Sequence, residues 1–179
     1  SIPALPLSAQ QTKDLTLLLQ NPPTAANKEL LLHLLSERIP PGVDEAAYIK
    51  ATWLSAIVQK KINSPLINPL EATRLLGTMI GGYNVSALIE ILKSNNELLA
   101  NCAAKGLSHT LLVYDAANEI IELAQSNRFA KKIVNSWSKA EWFTSKKALP
   151  SEITVTVFKV NGETNTDDLS PATHATTRP

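Results

Sequence analysis

Cysteine is nearly absent. The single thiol of Cys102 excludes an internal disulfide, a multi-cysteine zinc site and an iron–sulfur cluster held wholly by this chain. Aromatic residues make up 5% of the 179 residues, so no aromatic-rich core or stacking platform runs through the sequence. Neither sign of charge dominates: 17 basic and 16 acidic residues leave a net +1, and attraction to nucleic acid or acidic lipid has to come from a local patch. Every apolar run is cut within a few residues by Asn, Glu, Lys or Pro, well short of the roughly 18 apolar residues of a membrane span. The lone thiol and the lack of a secretory signal point to a cytoplasmic protein. GxSxG, Walker and GxGxxG patterns are missing too, and Gly81 and Gly82 follow a helical pattern where a phosphate cradle requires a strand.

What is present is helix after helix. Leu15, Leu18 and Leu19 lie on one helical face until "NPP" at 21–23, and "NKELLLHLLSERI" repeats the pattern up to Pro40 and Pro41. Asp44 is placed to cap a helix whose Ala47, Ala51, Leu54 and Val58 face one side. Asn68, Pro69 and Glu71 open another that should stop at Gly81 and Gly82, and Asn84 is placed to cap the next. Further helices are predicted over 96–105, 107–125 and 127–144. Seven or eight short helices with tight links predict antiparallel pairs stacked in an αα-array, although no fixed repeat period is visible.

At Pro150 the pattern changes. Ile153, Val155 and Val157 alternate with Thr154 and Thr156, and the run continues through Phe158 and Val160 to an "NG" turn at 161–162. This predicts one strand of a second domain, with too little chain after it to close a core. The acids beyond it, Glu163, Asp167 and Asp168, lack the spacing of a calcium loop and read as a solvated turn ahead of a cation or acid–base site.

The stretch 127–147 holds six basic residues and one acid, a net +5, while the remainder carries 11 basic and 15 acidic residues, a net −4. On a helical wheel Arg128, Lys131, Lys132 and Lys139 share one arc, with Phe129, Ala130, Ile133, Val134 and Trp137 opposite. Such a stripe is either the wet face of an ordinary amphipathic helix or a footprint for phosphates. Trp142 and Phe143 either stack on bases or anchor a neighbouring domain. His33 and His109 lack a second ligand at metal spacing and read as structural groups; Cys102, beside Ala103 and Ala104, reads as a small buried hydrophobe.

Five blocks, "RIPPGVDEAAYIKA", "LLGTMIGGYN", "KGLSHTLL", "SWSKAEWF" and "TVTVFKVNGETNTDDLSPA", resemble in this order the N-terminal part of the bacterial aconitase B family. The resemblance implies a mainly α fold: a HEAT-like αα-superhelical array of short antiparallel helices over 1–151. Residues 152–179 then start a swivel domain with one β-strand, cut just after the boundary. It also implies a parent hydro-lyase of the citric acid cycle that interconverts citrate and isocitrate through cis-aconitate, in some members also acting on 2-methylisocitrate. Its [4Fe-4S] cluster is held by cysteines downstream of this chain, and Cys102 is not one of them. No catalytic residue, metal ligand or cofactor is expected in this fragment, which alone should be inactive. One substrate contact carries over, Arg178 in "TTRP", whose guanidinium suits bidentate recognition of a tricarboxylate. Asp167 and Ser170 match the family's cleft loop. The expected partners are the downstream catalytic domains, a second copy through self-association, and mRNA, with Arg128, Lys131, Lys132 and Lys139 as the RNA-facing group.

Overall fold

Short polar side chains fix where the helices begin. The structure is a computed structural model and describes residues 5–110, 112–157, 159, 161, 162 and 165. Ser8 caps α1 (Ala9–Gln20) in a reciprocal box with Gln11, and Asn27 caps α2 (Lys28–Glu37). Asp44 caps α3 (Glu45–Val58), and Asn68 caps α4 (Pro69–Leu76), which carries proline in its first turn. After α5 (Val85–Lys93), Asn96 caps α6 (Glu97–His109). After α7 (Ala116–Leu123), Asn127 caps α8 (Arg128–Ser138), followed by the single turn α9 (Glu141–Thr144). Each such cap contributes about 1 kcal/mol by satisfying amide groups that the first turn leaves unpaired.

The helices then bury their apolar stripes pairwise. α3 packs on α4, α5 on α6 and α7 on α8, while α1 lies on α3, α4 on α6 and α6 on α8. The links 94–96 and 124–127 are short enough to fold each helix straight back on its predecessor. One continuous core results, with Leu19, Leu35, Leu54, Leu76, Leu88, Leu107 and Ile133 almost fully shielded. α6 and α8 run side by side in matched register: Arg128 pairs with Glu97, Lys132 with Asn101, and Trp137 Nε1 donates to the Leu107 carbonyl at 3.0 Å. α4 meets α6 at Gly77 and Gly106, where a Cβ on Gly106 would stand 2.7 Å from the Gly77 Cα. Glycine at this crossing is what lets the two backbones touch.

Several boundaries differ from the sequence expectation. α6 does not break near Lys105 but continues through Gly106 to His109, because that glycine serves a helix crossing and its helix carries on. The predicted 107–125 helix is therefore two pieces, the end of α6 and α7, separated by a connection in which Tyr114 has φ +45°. α4 stops at Leu76, ahead of Gly81. Asn84 makes no side-chain cap for α5; its amide turns back to donate to the Leu76 and Met79 carbonyls at 2.8 and 3.1 Å, closing the end of α4. The 127–144 helix is interrupted at Ala140, which sits in the left-handed region at φ +50°. On α1, Leu18 is exposed while Thr12 and Thr16 share the buried face with Leu15 and Leu19.

Among the described residues no strand forms. Ile153, Val155 and Val157 are 64%, 68% and 81% exposed, their Thr neighbours are exposed as well, and no second strand among the described residues pairs with them. Phe158 and Val160 of the predicted strand lie outside the described residues.

Candidate functional site

α8 sorts its side chains as their spacing requires: Phe129, Ala130 and Ile133 are buried, and Arg128, Lys131, Lys132 and Lys139 are exposed. The four cations are not equivalent. Arg128 pairs with Glu97 at the start of α6, Lys132 Nζ donates to Asn101 Oδ1 at 3.3 Å, and both stand over the Phe129 ring, 4.8 and 5.5 Å from its centroid. None of the ion pairs formed by the described residues engages Lys131 or Lys139. Half of the stripe is thus held against α6, and two cations extend into solvent.

Beside it lies a depression of about 480 Å³ between α6, α8 and α9, lined by Asn101, Lys105, His109, Lys132, Asn135 and Glu141 among others. A second, of about 270 Å³, lies between α4 and α6 and shares Lys105 and His109 with the first. Together they form a shallow trough walled by α4, α6, α8 and α9. On its α4 side Glu71 receives both Nε and Nη2 of Arg74, at 2.9 and 2.7 Å. That fork holds the Glu71 carboxyl below its ordinary range and raises the Arg74 guanidinium above its own, so the pair stays ionised. His109 Nδ1 lies 2.9 Å from the Lys105 carbonyl, which leaves Nε2 for solvent or a ligand.

Cys102 is half-buried, lining the second depression beside Arg74 and Lys105, and so is not the fully buried hydrophobe its neighbours in sequence suggest. Burial pushes its thiol up, against the opposing pull of Arg74, and it rests as the protonated thiol. Of the two histidines read as structural, His109 makes that one backbone contact and is exposed, and His33 is exposed. Trp142 is half-buried against the exposed Phe143, ring centroids 5.7 Å apart.

Arg178, Glu163, Asp167, Asp168 and Ser170 lie outside the described residues. Sequence reasoning passed over the trough. Asn101, Lys105 and His109 fall at i, i+4 and i+8 on α6, a polar line opposite the buried Ala100, Ala103, Ala104 and Leu107, and that line was the available signal. It also missed Lys50, 1% exposed on α3, whose ammonium is destabilised by burial to a pKa of about 8 despite attraction from Glu37.

Comparison with known proteins places these helices in context. Residues 1–143 match the family described as Aconitate B N-terminal domain, and residues 155–179 match the Aconitate hydratase 2 N-terminus. Aconitate hydratase B of Synechocystis sp. is 57% identical over 178 residues, 99% of this chain and 20% of that protein. The proteins of the same name from Pseudomonas aeruginosa and Escherichia coli are each 54% identical over 175 residues, 97% of this chain and 20% of theirs. The chain spans about a fifth of the length of the relatives it matches. Matched along nearly its whole length, this chain belongs to the aconitate hydratase B family.

Proposed function

We propose that this chain is the N-terminal helical unit of an aconitate hydratase, and that within the longer protein it supplies docking surface while the chemistry is done elsewhere. The parent reaction is the interconversion of citrate and isocitrate through cis-aconitate. In this reading residues 1–151 form a HEAT-like array, and 152–179 open a swivel domain whose first strand finds its sheet partner in the longer chain. The observation that carries the proposal is the near-complete match to one fifth of proteins named Aconitate hydratase B, by a chain whose helices pack in successive pairs. Arg178 is the one residue assigned to substrate, gripping a carboxylate in the assembled enzyme.

The [4Fe-4S] cluster implied by the family does not fit the residues present. Cys102 is the only cysteine, its thiol is pushed toward the protonated form, and no three His, Cys, Asp or Glu converge among the described residues. No step of the reaction is assigned to this chain's own side chains. The test is to assay citrate dehydration by the 179-residue chain and by the full-length protein, with lysine cross-linking between residues 1–151 and the remainder. The expected result is turnover and cross-links only in the full-length protein. Turnover by the isolated chain would refute the division of labour.

A second reading, RNA binding by Arg128, Lys131, Lys132 and Lys139, is favoured by the free ends of Lys131 and Lys139 and opposed by the Arg128–Glu97 pair. Two unengaged cations predict a weak association with a shallow salt dependence, a log–log slope near −1.4 for a single strand. Absence of binding at low salt removes this reading. Self-association, the remaining expectation, is read by sedimentation of the full-length protein with and without ferrous iron.

A further inference from the structure

The 40–43 turn and the 77–84 connection are locked together in a way that their own burial does not explain. Gly81 abuts Gly42 so closely that a Cβ on Gly81 would fall 1.9 Å from the Gly42 carbonyl oxygen. The Pro41 carbonyl accepts from the amides of Ile80 and Gly81 at 2.9 and 3.2 Å, and the Tyr83 hydroxyl donates to the Val43 carbonyl at 2.8 Å. Tyr48, in the first turn of α3, meets Tyr83 edge to face with ring centroids 5.3 Å apart. Yet the side chains around this junction stand in water: Val43 is 74% exposed, Ile80 58%, Tyr48 54% and Tyr83 41%.

A cluster of this composition, held rigid before anything binds, has the character of an interface hot spot. Tyrosine supplies large area with little rotamer entropy to lose, and a loop already pinned by three hydrogen bonds needs no ordering on contact. Among the described residues the Tyr48 hydroxyl has no hydrogen bond, leaving a donor at the edge of an apolar centre. Its area separates the possible occupants. Given side chains of about 150–250 Å² for the rings, the four exposures leave on the order of 400 Å² open. A stable association between separate molecules takes roughly 800 Å² from each side, about twice this. A domain of the same polypeptide needs less, because tethering holds it at an effective concentration in the mM range.

We propose that the Val43, Tyr48, Ile80 and Tyr83 patch is the seat on which a later domain of the same polypeptide docks, presenting an apolar surface with an acceptor for the Tyr48 hydroxyl. This rests on the scaffold reading above and gives it a location. The relatives extend this sequence about fivefold, so most of the longer protein is available as that partner. The two loops also belong to "RIPPGVDEAAYIKA" and "LLGTMIGGYN", two of the blocks that carry the family resemblance.

The test is hydroxyl-radical footprinting of the full-length protein, its V43D/Y48S variant, and the 179-residue chain alone. Oxidation of Tyr48, Ile80 and Tyr83 should fall about fivefold or more in the full-length wild type relative to the isolated chain, as expected for residues at an interface centre. In the variant, oxidation of Ile80 and Tyr83 should return to the isolated-chain level. Far-UV circular dichroism and melting of the isolated variant should match wild type, which separates lost docking from lost folding; a variant that melts early is replaced by I80D under the same criteria. Equal oxidation in the full-length and isolated forms overturns the proposal. Protection that grows with protein concentration also overturns it and assigns the patch to a second copy. If cross-links join residues 1–151 to the remainder while the patch stays reactive, only this location fails; if no such cross-links form, the scaffold reading fails with it.

Discussion

Replacing Lys50 with methionine should stabilise this chain. Lys50 is 1% exposed on α3, with Glu37 the attracting charge and Arg74 the repelling one, and burial outweighs both in lowering its pKa from 10.5 to about 8. A drop of that size corresponds to about 3 kcal/mol by which the folded state disfavours the ammonium relative to the unfolded chain. Methionine keeps most of the stem's volume and sheds the charge, so a gain of about 1–3 kcal/mol is expected, the lower end allowing for the lost attraction to Glu37. For a domain of this size that is roughly 3–10 °C in Tm.

The sign of the pH dependence gives an independent check. Between pH 8 and 10.5 the unfolded chain holds more protons at this site than the folded one, so stability rises with pH across that window. Below pH 8 the full penalty is present. Urea titrations at pH 7, 8, 9 and 10, followed by circular dichroism and tryptophan fluorescence, should show wild type gaining on K50M until the two converge near pH 10. A K50M chain less stable than wild type at pH 7, or a gap that does not narrow with pH, would refute the claim that Lys50 is a net destabilising buried cation.

Three further outcomes follow from local geometry. G81A should lose about 2–3 kcal/mol in urea because its Cβ meets backbone, while G42A, whose Cβ meets nothing within 4 Å, should stay within about 0.5 kcal/mol of wild type. N84D should lose about 1–3 kcal/mol, since a carboxylate cannot donate to the Leu76 and Met79 carbonyls and would face them with charge; N84A should lose somewhat less, and equal stability of all three would remove Asn84 from its capping role. Alkylation of Cys102 by iodoacetamide should rise with pH along a curve displaced above that of a free thiol, and R74Q should displace it further, because Arg74 is the cation opposing the upward shift. An R74Q curve moved to lower pH would contradict that assignment.

How far the fold could be read in advance depends on whether a signal is local. Asp44, Asn68 and Pro69 mark helix starts because a cap bonds amides two or three residues away, and all three stand where their spacing placed them. The break expected between 105 and 107 does not form, because Gly106 stays inside α6; what holds it there is Gly77, which α4 brings into contact from far along the chain. Asn84 misled for a related reason, its amide serving the helix behind it instead of the one ahead. The alternation of Ile153, Val155 and Val157 is a real β pattern, but a strand is a property of two segments, and its pairing partner is not among the described residues.

The candidate surfaces divide along the same line. The stripe of Arg128, Lys131, Lys132 and Lys139 was visible because one helix and its C-cap carry it, whereas the pairing of Arg128 with Glu97 and the hydrogen bond from Lys132 to Asn101 depend on α6 lying in register beside α8. The trough around Lys105 and His109 takes its walls from α4, α6, α8 and α9, so no single stretch announces it. The tyrosine patch is the extreme case. Val43 and Tyr48 come from one family block and Ile80 and Tyr83 from another, and only the glycine contact between them turns two unremarkable loops into one apolar surface. Where glycines allow backbones to touch, this chain converts sequence into surface, and the outward-facing side chains at those junctions are the first place to look for what it binds.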